Sequence, residues 1–219
     1  MLPTTLPTEL LDRIRQILPE DTPVYLVGGA VRDALLGKPV HDLDFVLPER
    51  AMPAGRKVAN TLGIDFFPMD TERDTARLIQ TQPDGSRLFL DFAGLRAPDL
   101  ESDLRDRDFT INAMALDLRQ LQTLIDPLQG AQDLRNKVIR PCSEASLLND
   151  PVRALRGIRL ATALGYQLLP ETRQLIRQAL PRLPQVSAER LRDEIFRILD
   201  GPQPATAMQI LAILGGLPY

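Results

Sequence analysis

Short apolar runs and alternating apolar and polar residues predict strands in the first half of the chain, and apolar residues at helical spacing predict helices in both halves. The predicted strands are Val24–Val27, DLDFVL at 42–47, IDFFPMD at 64–70, ARLIQTQ at 76–82 and RLFLDFAG at 87–94. The last two form a predicted hairpin around Pro83, Asp84 and Gly85. Helices are predicted at 6–18 with Thr8 as N-cap, after Gly28 and Gly29, at 51–63, from Pro151 with Asp150 as N-cap, and at 171–180, 186–201 and 204–216. This order predicts an α+β fold, in which a mixed sheet with helices on one side is followed by helices alone.

The composition is that of an ordinary globular protein, and it excludes several kinds of site. The 219 residues are 44% apolar and 25% charged, which is enough for one large domain or two small ones. No apolar run is long enough to cross a membrane and the N-terminus lacks a signal pattern, so we expect a cytoplasmic protein without a membrane partner. The single Cys142 excludes internal disulfides and argues against a disulfide-linked partner, and the single His41 argues against zinc chemistry.

Arginine dominates the basic residues. The formal net charge of −3 argues against a nucleic-acid partner if charge is evenly spread, but only Lys38, Lys57 and Lys137 are lysines among the 26 basic residues. The planar fork of arginine suits two-bond contacts with phosphates and base edges. A GC-rich genome that replaces lysine by arginine explains the same composition, so both interpretations stay open.

The stretch from Leu26 to Leu47 combines a glycine turn with a pair of carboxylates. Gly28 and Gly29 allow a sharp turn close to a ligand, and the helix after them directs its amide groups at an anion such as phosphate. Asp42 and Asp44 are two positions apart on a strand, so they project to the same side. Paired carboxylates suit a hard divalent cation, which predicts a Mg²⁺ site.

The pattern LVGGxVRDxLLG followed by DxD resembles the signature of the class II tRNA nucleotidyltransferases, the family of CCA-adding enzymes and bacterial poly(A) polymerases. The resemblance implies a nucleotidyltransferase head of the polymerase-β-like type at 1–139. It also implies an all-helical neck at 140–219, without the body and tail domains that family members usually carry. Asp42 and Asp44 are then catalytic metal ligands, and Gly28, Gly29 and Arg32 bind the nucleotide phosphates.

Asp91, in the strand RLFLDFAG, is the position that the resemblance assigns to a third catalytic carboxylate. Its neighbours Leu90 and Phe92 face the opposite side of the strand. An acidic residue on the solvent face of an edge strand, without any function, is the alternative interpretation.

The segment RDFTINAMALD, from Arg107 to Asp117, resembles the family's second motif, with Asp106 where an arginine often stands. The resemblance implies that Asp108 accepts hydrogen bonds from ribose hydroxyls and that Asn112 contacts phosphate or ribose. Alternatively, Asp108 caps a turn and Asn112 caps a helix that follows it.

A third motif lies in LLNDPVRALRGIRLATALGY, residues 147–166, where the family has E-D-x-x-R and this chain has Asn149 in place of the glutamate. The resemblance implies that Asp150 and Arg153 read the base of the incoming nucleotide, with Arg156 as a further nucleotide-binding residue. Arg153, Arg156 and Arg159 also recur every three residues, which is typical of a solvated helix face. The remaining family-like positions have structural roles in this interpretation: Gly130, Asp133 and Arg140 in a hinge, and Ser187, Arg190 and Glu194 in the neck.

The interval between Arg96 and Arg107 separates the subclasses of the family. It holds only the ten residues APDLESDLRD, as in members that add CC, whereas members that add CCA or A alone carry a longer loop there. The resemblance therefore implies Mg²⁺-dependent addition of cytidines from CTP to the tRNA 3′ end, with release of pyrophosphate. A full CCA-adding enzyme that also binds ATP, and a poly(A) polymerase, are the alternatives within the family. A DxD glycosyltransferase and an inactive nucleotide- or RNA-binding module are more distant ones.

Overall fold

The computed structural model describes residues 5–82 and 84–218, and a seven-stranded mixed sheet organises the first half of the chain. The strands are β1 Tyr25–Val27, β2 Asp42–Leu47, β3 Asp65–Asp70, β4 Thr75–Thr81, β5 Arg87–Gly94, β6 Ala115–Asp117 and β7 Leu124–Ile125. Their order across the sheet is β3-β4-β5-β2-β1-β6-β7, and β2 runs parallel to β5 whereas the other neighbours are antiparallel. The predicted β4–β5 hairpin is confirmed by its antiparallel pairing, and Pro83 of its predicted turn lies outside the described residues.

Helices precede, connect and follow the strands. They are α1 Thr8–Ile17, α2 Gly29–Leu35, α3 Ala51–Leu62, α4 Leu100–Arg105, α5 Gly130–Asn136, α6 Glu144–Asn149, α7 Val152–Leu164, α8 Pro170–Ala179, α9 Ala188–Leu199 and α10 Pro204–Ile213. Short 3₁₀ turns lie at Thr110–Asn112 and Leu180–Gln185, and two short parallel strands, β8 Val138–Ile139 and β9 Gln167–Leu168, interrupt the second half. Within the described ranges, no helix is both long and apolar enough to cross a membrane.

Two predicted helix caps are wrong. Thr8 is the first residue inside α1, and the position before it is Pro7. Asp150 directly follows the last residue of α6, and the residue that precedes α7 is Pro151. The side chain of Asp150 therefore faces other partners than the amide groups of α7.

The central strands separate an apolar face of the sheet from a charged one. Leu43, Phe45, Leu90 and Phe92 are each at most 1% exposed and lie in matching register on β2 and β5. Helix α3 covers this face. Its Gly55 lies so close to Phe92 that an added Cβ would be 3.3 Å from the ring. Alternation along the strands then directs the acidic residues of β2 and β5 to the opposite face.

Asp74, in the turn between β3 and β4, caps helix α3. Its carboxylate accepts hydrogen bonds from the backbone amides of Ala51 at 2.6 Å and Met52 at 2.8 Å. Its own backbone is left-handed, with φ 50°. The cap of α3 is therefore supplied by a residue 23 positions further along the chain, rather than by the residue before the helix.

Alanine at Asp74 is expected to lower the free energy of unfolding by about 2 kcal/mol, because two amides of α3 lose their acceptor and alanine disfavours a positive φ. Asn is the matched control, because it tolerates the left-handed backbone and keeps one oxygen acceptor. Urea denaturation of D74A and D74N measures both effects. A midpoint for D74A equal to that of the wild type would show that α3 does not depend on this cap.

Contacts along the chain divide it into two compact units. The first comprises residues 1–104 and 112–127, and the second comprises 105–111 and 128–219. The sheet β1–β7 belongs to the first unit, and helices α5 to α10 belong to the second. The predicted boundary between residues 139 and 140 stays a prediction.

Candidate active site

Three carboxylates predicted to be catalytic lie on the charged face of the sheet in the first unit. Asp44 on β2 is directly opposite Asp91 on β5, so their side chains leave the sheet on the same face. Asp42 lies two positions before Asp44 and shares that face, where it is exposed. Strand β5 lies between β4 and β2, so the alternative that placed Asp91 on an edge strand is wrong.

Arg77 on β4 completes this row of charges, and the sequence motifs gave no sign of it. It is the cross-strand partner of Asp91, and its Nε and Nη2 donate to the two carboxylate oxygens at 2.8 and 2.7 Å. The hydrogen bond to Asp91 raises the pKa of Arg77, and the charges of Asp91, Asp42 and Asp44 raise it further. The guanidinium therefore lies in the negative field of all three carboxylates.

The donor chemistry of this face suits Mg²⁺. Asp42 and Asp44 offer hard oxygen ligands from one strand, and Mg²⁺ in proteins is commonly bound by one or two carboxylates together with substrate phosphates. Among residues 5–82 and 84–218, no group of three or more His, Cys, Asp or Glu side chains is close enough to hold a metal ion. Asp42 and Asp44 are thus the side chains that would hold the ion, and Asp91 is bound to Arg77 beside them.

The glycine turn between β1 and α2 needs glycine at one of its two positions. Gly28 has φ 76°, a conformation that side chains with a Cβ rarely adopt. Gly29 is the first residue of α2, and a Cβ there would lie 3.5 Å from Nη2 of Arg32, an ordinary contact. Gly28 therefore shapes the turn, while Gly29 leaves space beside Arg32.

Arg32 and Asn112, both predicted to bind the nucleotide, contact each other. Nη1 of Arg32 donates to Oδ1 of Asn112 at 2.7 Å, and its Nε and Nη2 donate to Asp33 at 2.9 and 2.8 Å. Asn112 is followed by strand β6, so the alternative in which it caps a helix is wrong. Three of the five N–H donors of Arg32 are thus engaged within the first unit.

Asp108 and Arg156, in the second unit, form an ion pair in which the carboxylate is buried. Oδ2 of Asp108 accepts from Nη1 of Arg156 at 3.2 Å, and the side chain of Asp108 is only 7% exposed. Glu194 on α9 lies 3.6 Å from Nε of Arg156 and also accepts from Nε of Arg159. Burial lowers the pKa of Arg156, but the charges of Asp108 and Glu194 outweigh burial and raise it.

The arginines of α7 therefore do not form a solvated stripe. Their side chains are 16%, 37% and 22% exposed at Arg153, Arg156 and Arg159, and each lies against a carboxylate. Glu194, assigned a structural role from its motif, is the carboxylate that joins two of them.

Asp150 and Arg153, predicted to read the base, lie side by side in the second unit. Oδ2 of Asp150 accepts from Nη2 of Arg190 at 2.8 Å and lies 3.4 Å from Nε of Arg153. Oδ1 of Asp150 is buried and accepts no hydrogen bond within the described part of the chain. A buried acceptor without a donor is costly, which makes this oxygen a candidate for a ligand N–H group.

Arg153 also anchors the RDFTINA segment. Its Nη1 donates to the backbone carbonyls of Asp106 at 2.8 Å and Arg107 at 3.1 Å. The contact with residue 106 uses its main-chain carbonyl. It is therefore unaffected by the aspartate that this chain has where the family motif often has arginine. Further along, the ring of Phe109 packs so closely on α7 that a Cβ at Gly157 would lie 2.7 Å from it.

Cys142 offers no nucleophile. Burial raises the pKa of its thiol, and the charge of Asp108 raises it further. The thiol therefore stays protonated at neutral pH, and a thiol is a much weaker nucleophile than a thiolate.

Comparison with known proteins places this arrangement in a family. Residues 24–140 match the family described as the poly A polymerase head domain, and residues 165–219 match the one described as the probable RNA and SrmB-binding site of polymerase A. A CC-adding tRNA nucleotidyltransferase of Geobacter sulfurreducens is 43% identical over 178 residues, which are 81% of this chain and 40% of that protein.

An A-adding tRNA nucleotidyltransferase of Deinococcus radiodurans is 42% identical over 209 residues, 93% of this chain and 46% of that protein. A solved structure of a tRNA-processing enzyme with CTP superposes with a TM-score of 0.83 at 36% identity, over 95% of this chain and 57% of the other. The chain thus spans less than half the length of these two curated relatives. Because the head-domain match covers more than half of its residues and the same fold carries the motifs, the chain belongs to the class II tRNA nucleotidyltransferase and poly(A) polymerase family.

Proposed function

We propose that this chain carries the catalytic part of a Mg²⁺-dependent, template-independent nucleotidyltransferase that adds cytidines from CTP to the 3′ end of tRNA. The observation that carries the proposal is the placement of Asp42, Asp44 and Asp91 on one face of adjacent parallel strands. Membership of the family supports this chemistry, and the proposal extends to a tRNA substrate and a cytoplasmic location. The alternatives without catalysis, an RNA- or nucleotide-binding module, leave three adjacent carboxylates without a purpose.

The reaction needs no protein nucleophile, which agrees with the protonated thiol of Cys142 and with His41 as the single histidine. The 3′ hydroxyl of the RNA attacks the α-phosphorus of CTP, a phosphodiester bond forms, the bond to the β-phosphate breaks and pyrophosphate leaves. A divalent cation supplies charge stabilisation for such a displacement. Asp42 and Asp44 would hold it, and Arg32 with the turn at Gly28 and Gly29 would bind phosphate oxygens.

The second unit offers a separate set of groups for selecting the nucleotide. Oδ1 of Asp150 is a buried acceptor without a donor, and the amino group of cytosine or adenine is a donor of the required kind. The bonds from Arg190 and Arg153 to Oδ2 orient this carboxylate. The ribose-binding role of Asp108 stays a prediction, and its ion pair with Arg156 would have to be preserved or exchanged on binding.

The preference for cytidine rests on the interval between Arg96 and Arg107. Helix α4 occupies most of it, and its first turn is closed by the bond from the amide of Ser102 to Asp99 at 2.8 Å. Asp103, which is 4% exposed, accepts from the amide of Arg96 at 3.0 Å. This interval is thus folded back on itself, without the long loop expected of members that add adenosine.

A-adding activity is the second candidate, because the Deinococcus radiodurans relative is named for it and matches about as well as the CC-adding one. The choice between them is open to a direct test. A tRNA lacking its 3′ CCA is incubated with CTP, ATP or both in Mg²⁺, and a tRNA ending in CC is incubated with ATP. The D42A/D44A variant serves as the blank.

Products that end at two cytidines, with or without ATP, are expected. Extension of the tRNA ending in CC by a single A would contradict the CC preference and favour the second candidate. Long A tails on arbitrary RNA ends would instead identify a poly(A) polymerase. An absence of any product above the blank, on all substrates, would overturn the proposed catalysis by this chain.

A further inference from the structure

Arg77 occupies an unusual position for a residue outside the motifs, because it binds one of the three carboxylates of the proposed metal site. The register of β4 and β5 places it directly opposite Asp91, and the two hydrogen bonds reach both carboxylate oxygens. The guanidinium carbon lies over the ring of Phe89, two positions before Asp91, at 5.4 Å from the ring centroid. The guanidinium is therefore held in one geometry by a fork of hydrogen bonds and an aromatic ring.

This geometry conflicts with metal ligation by Asp91. A bidentate arginine directs one N–H at each carboxylate oxygen, in the plane where a metal ion would also approach. It also places a positive charge beside a site that is meant to attract a cation. Asp91 can join Asp42 and Asp44 as a ligand only if its carboxylate turns away from Arg77.

The same geometry reduces the repulsion among the three carboxylates when no cation lies between them. Asp44 and Asp91 lie on adjacent strands in direct register, and Asp42 shares their face. Like charges that lie opposite each other destabilise a sheet. The side chain of Arg77 is 41% exposed, and it is placed where its charge compensates this repulsion.

We propose that Arg77 is a positioning residue, which holds Asp91 as an internal counter-ion in the metal-free protein and competes with a divalent cation for that carboxylate. The proposal rests on the proposed metal role of Asp42, Asp44 and Asp91. It assigns two states to Asp91: bound to Arg77 before the metal binds, and released to the metal afterwards.

The test is Mn²⁺ binding to the nucleotide-free chain, followed through the electron paramagnetic resonance signal of free Mn²⁺. The variants are R77Q, R77K, D91N and the double variant R77Q/D91N, with D42A/D44A as the blank. R73Q is the matched control, because it also removes one positive charge, four positions before Arg77. The side chain of Arg73 is 81% exposed and pairs with Asp70 instead of Asp91. Circular dichroism melts verify that each variant is folded.

R77Q is expected to bind Mn²⁺ at least about fivefold more tightly than the wild type, a factor that corresponds to roughly 1 kcal/mol. R77K keeps the charge but loses the fork, so an intermediate gain is expected. D91N alone is expected to change the affinity for Mn²⁺ little, because Arg77 already occupies Asp91 in the wild type. In R77Q/D91N most of the tighter binding of R77Q is expected to be lost. R73Q is expected to match the wild type.

Other results separate the two proposals. If the wild type binds Mn²⁺ but R77Q binds equally or more weakly, the competition is overturned and the metal site stands. If D91N weakens Mn²⁺ binding by the same factor in the wild type and in R77Q, Arg77 acts only through its long-range charge. The positioning role is then overturned. If neither the wild type nor R77Q binds above D42A/D44A, the metal site itself fails, and the competition fails with it.

Discussion

Alanine at both Asp42 and Asp44 is expected to abolish nucleotidyl transfer while leaving the sheet folded. A bound divalent ion supplies several kcal/mol of transition-state stabilisation, so losing its two ligands should slow the reaction at least about a thousandfold. Asp42 is exposed and Asp44 half-buried, and both lie on a face where negative charges repel each other. In EDTA the double variant should still unfold in one cooperative thermal transition.

The measurement compares turnover of a tRNA lacking CCA with the thermal melt of the same preparations. Asp65→Ala is the matched control, because Asp65 is an exposed acidic residue on the edge strand β3 of the same sheet. Its activity should equal that of the wild type. Residual activity of the double variant within tenfold of the wild type, in a folded protein, would exclude these carboxylates as metal ligands.

The largest effect on stability is expected from Glu194→Ala in the second unit. Glu194 is 4% exposed and lies between Arg156 and Arg159. Removing one partner of a buried ion pair leaves the other charge uncompensated, which costs 3–5 kcal/mol in typical cases. Both arginines are partly exposed to water, so we expect a loss of about 3 kcal/mol in the free energy of unfolding, at the lower end of that range.

Urea denaturation of E194A, E194Q and E189A tests this expectation. Glu189 is an exposed residue of the same helix, α9, so its replacement should change the free energy of unfolding by less than about 0.5 kcal/mol. E194Q keeps an oxygen for the bond from Arg159 and should lie between the other two. Equal midpoints for E194A and E189A would mean that solvent replaces Glu194 and that the cluster adds nothing to stability.

The sequence predicted the central strands well because their chemistry alternates with the period of a strand. DLDFVL carries two acidic residues on one side and RLFLDFAG carries one, and the structure buries the opposite, apolar side under α3. The parallel register of Asp44 and Asp91 confirms that the predicted carboxylates share one face. The helices predicted near 51–63, 171–180, 186–201 and 204–216 are also confirmed, within a few residues at their ends.

Side-chain partners that depend on strand register or on distant helices could not be predicted in this way. Arg77 reaches Asp91 only because the β4–β5 hairpin fixes their register, and neither residue's neighbours specify that register. Glu194 lies 35 positions from Arg159 in the chain, so no local pattern connects them. Asp150 was mistaken for a helix cap because the sequence does not show that α6 ends at the residue before it.

The small strands β8 and β9 were missed for a different reason. Each is two residues long, which is too short for an alternating pattern. The two strands pair with each other although α6 and α7 separate them in the chain. The predicted neck was therefore purely helical, whereas the second unit contains this short parallel ladder.

The division of the chain has a consequence for the order of its synthesis and for genetic exchange. Residues 105–111 belong to the second unit although 112–127 return to the first, so neither unit is encoded by one uninterrupted stretch. Arg107 is synthesised 46 positions before Arg153, whose side chain donates to the carbonyl of Arg107. Phe109 is likewise synthesised long before Gly157, on which its ring packs. A gene fragment that starts at residue 128 lacks the segment that fills the space beside Gly157. Recombination between relatives that preserves both units must therefore exchange 105–111 and 128–219 without 112–127, which takes three crossovers.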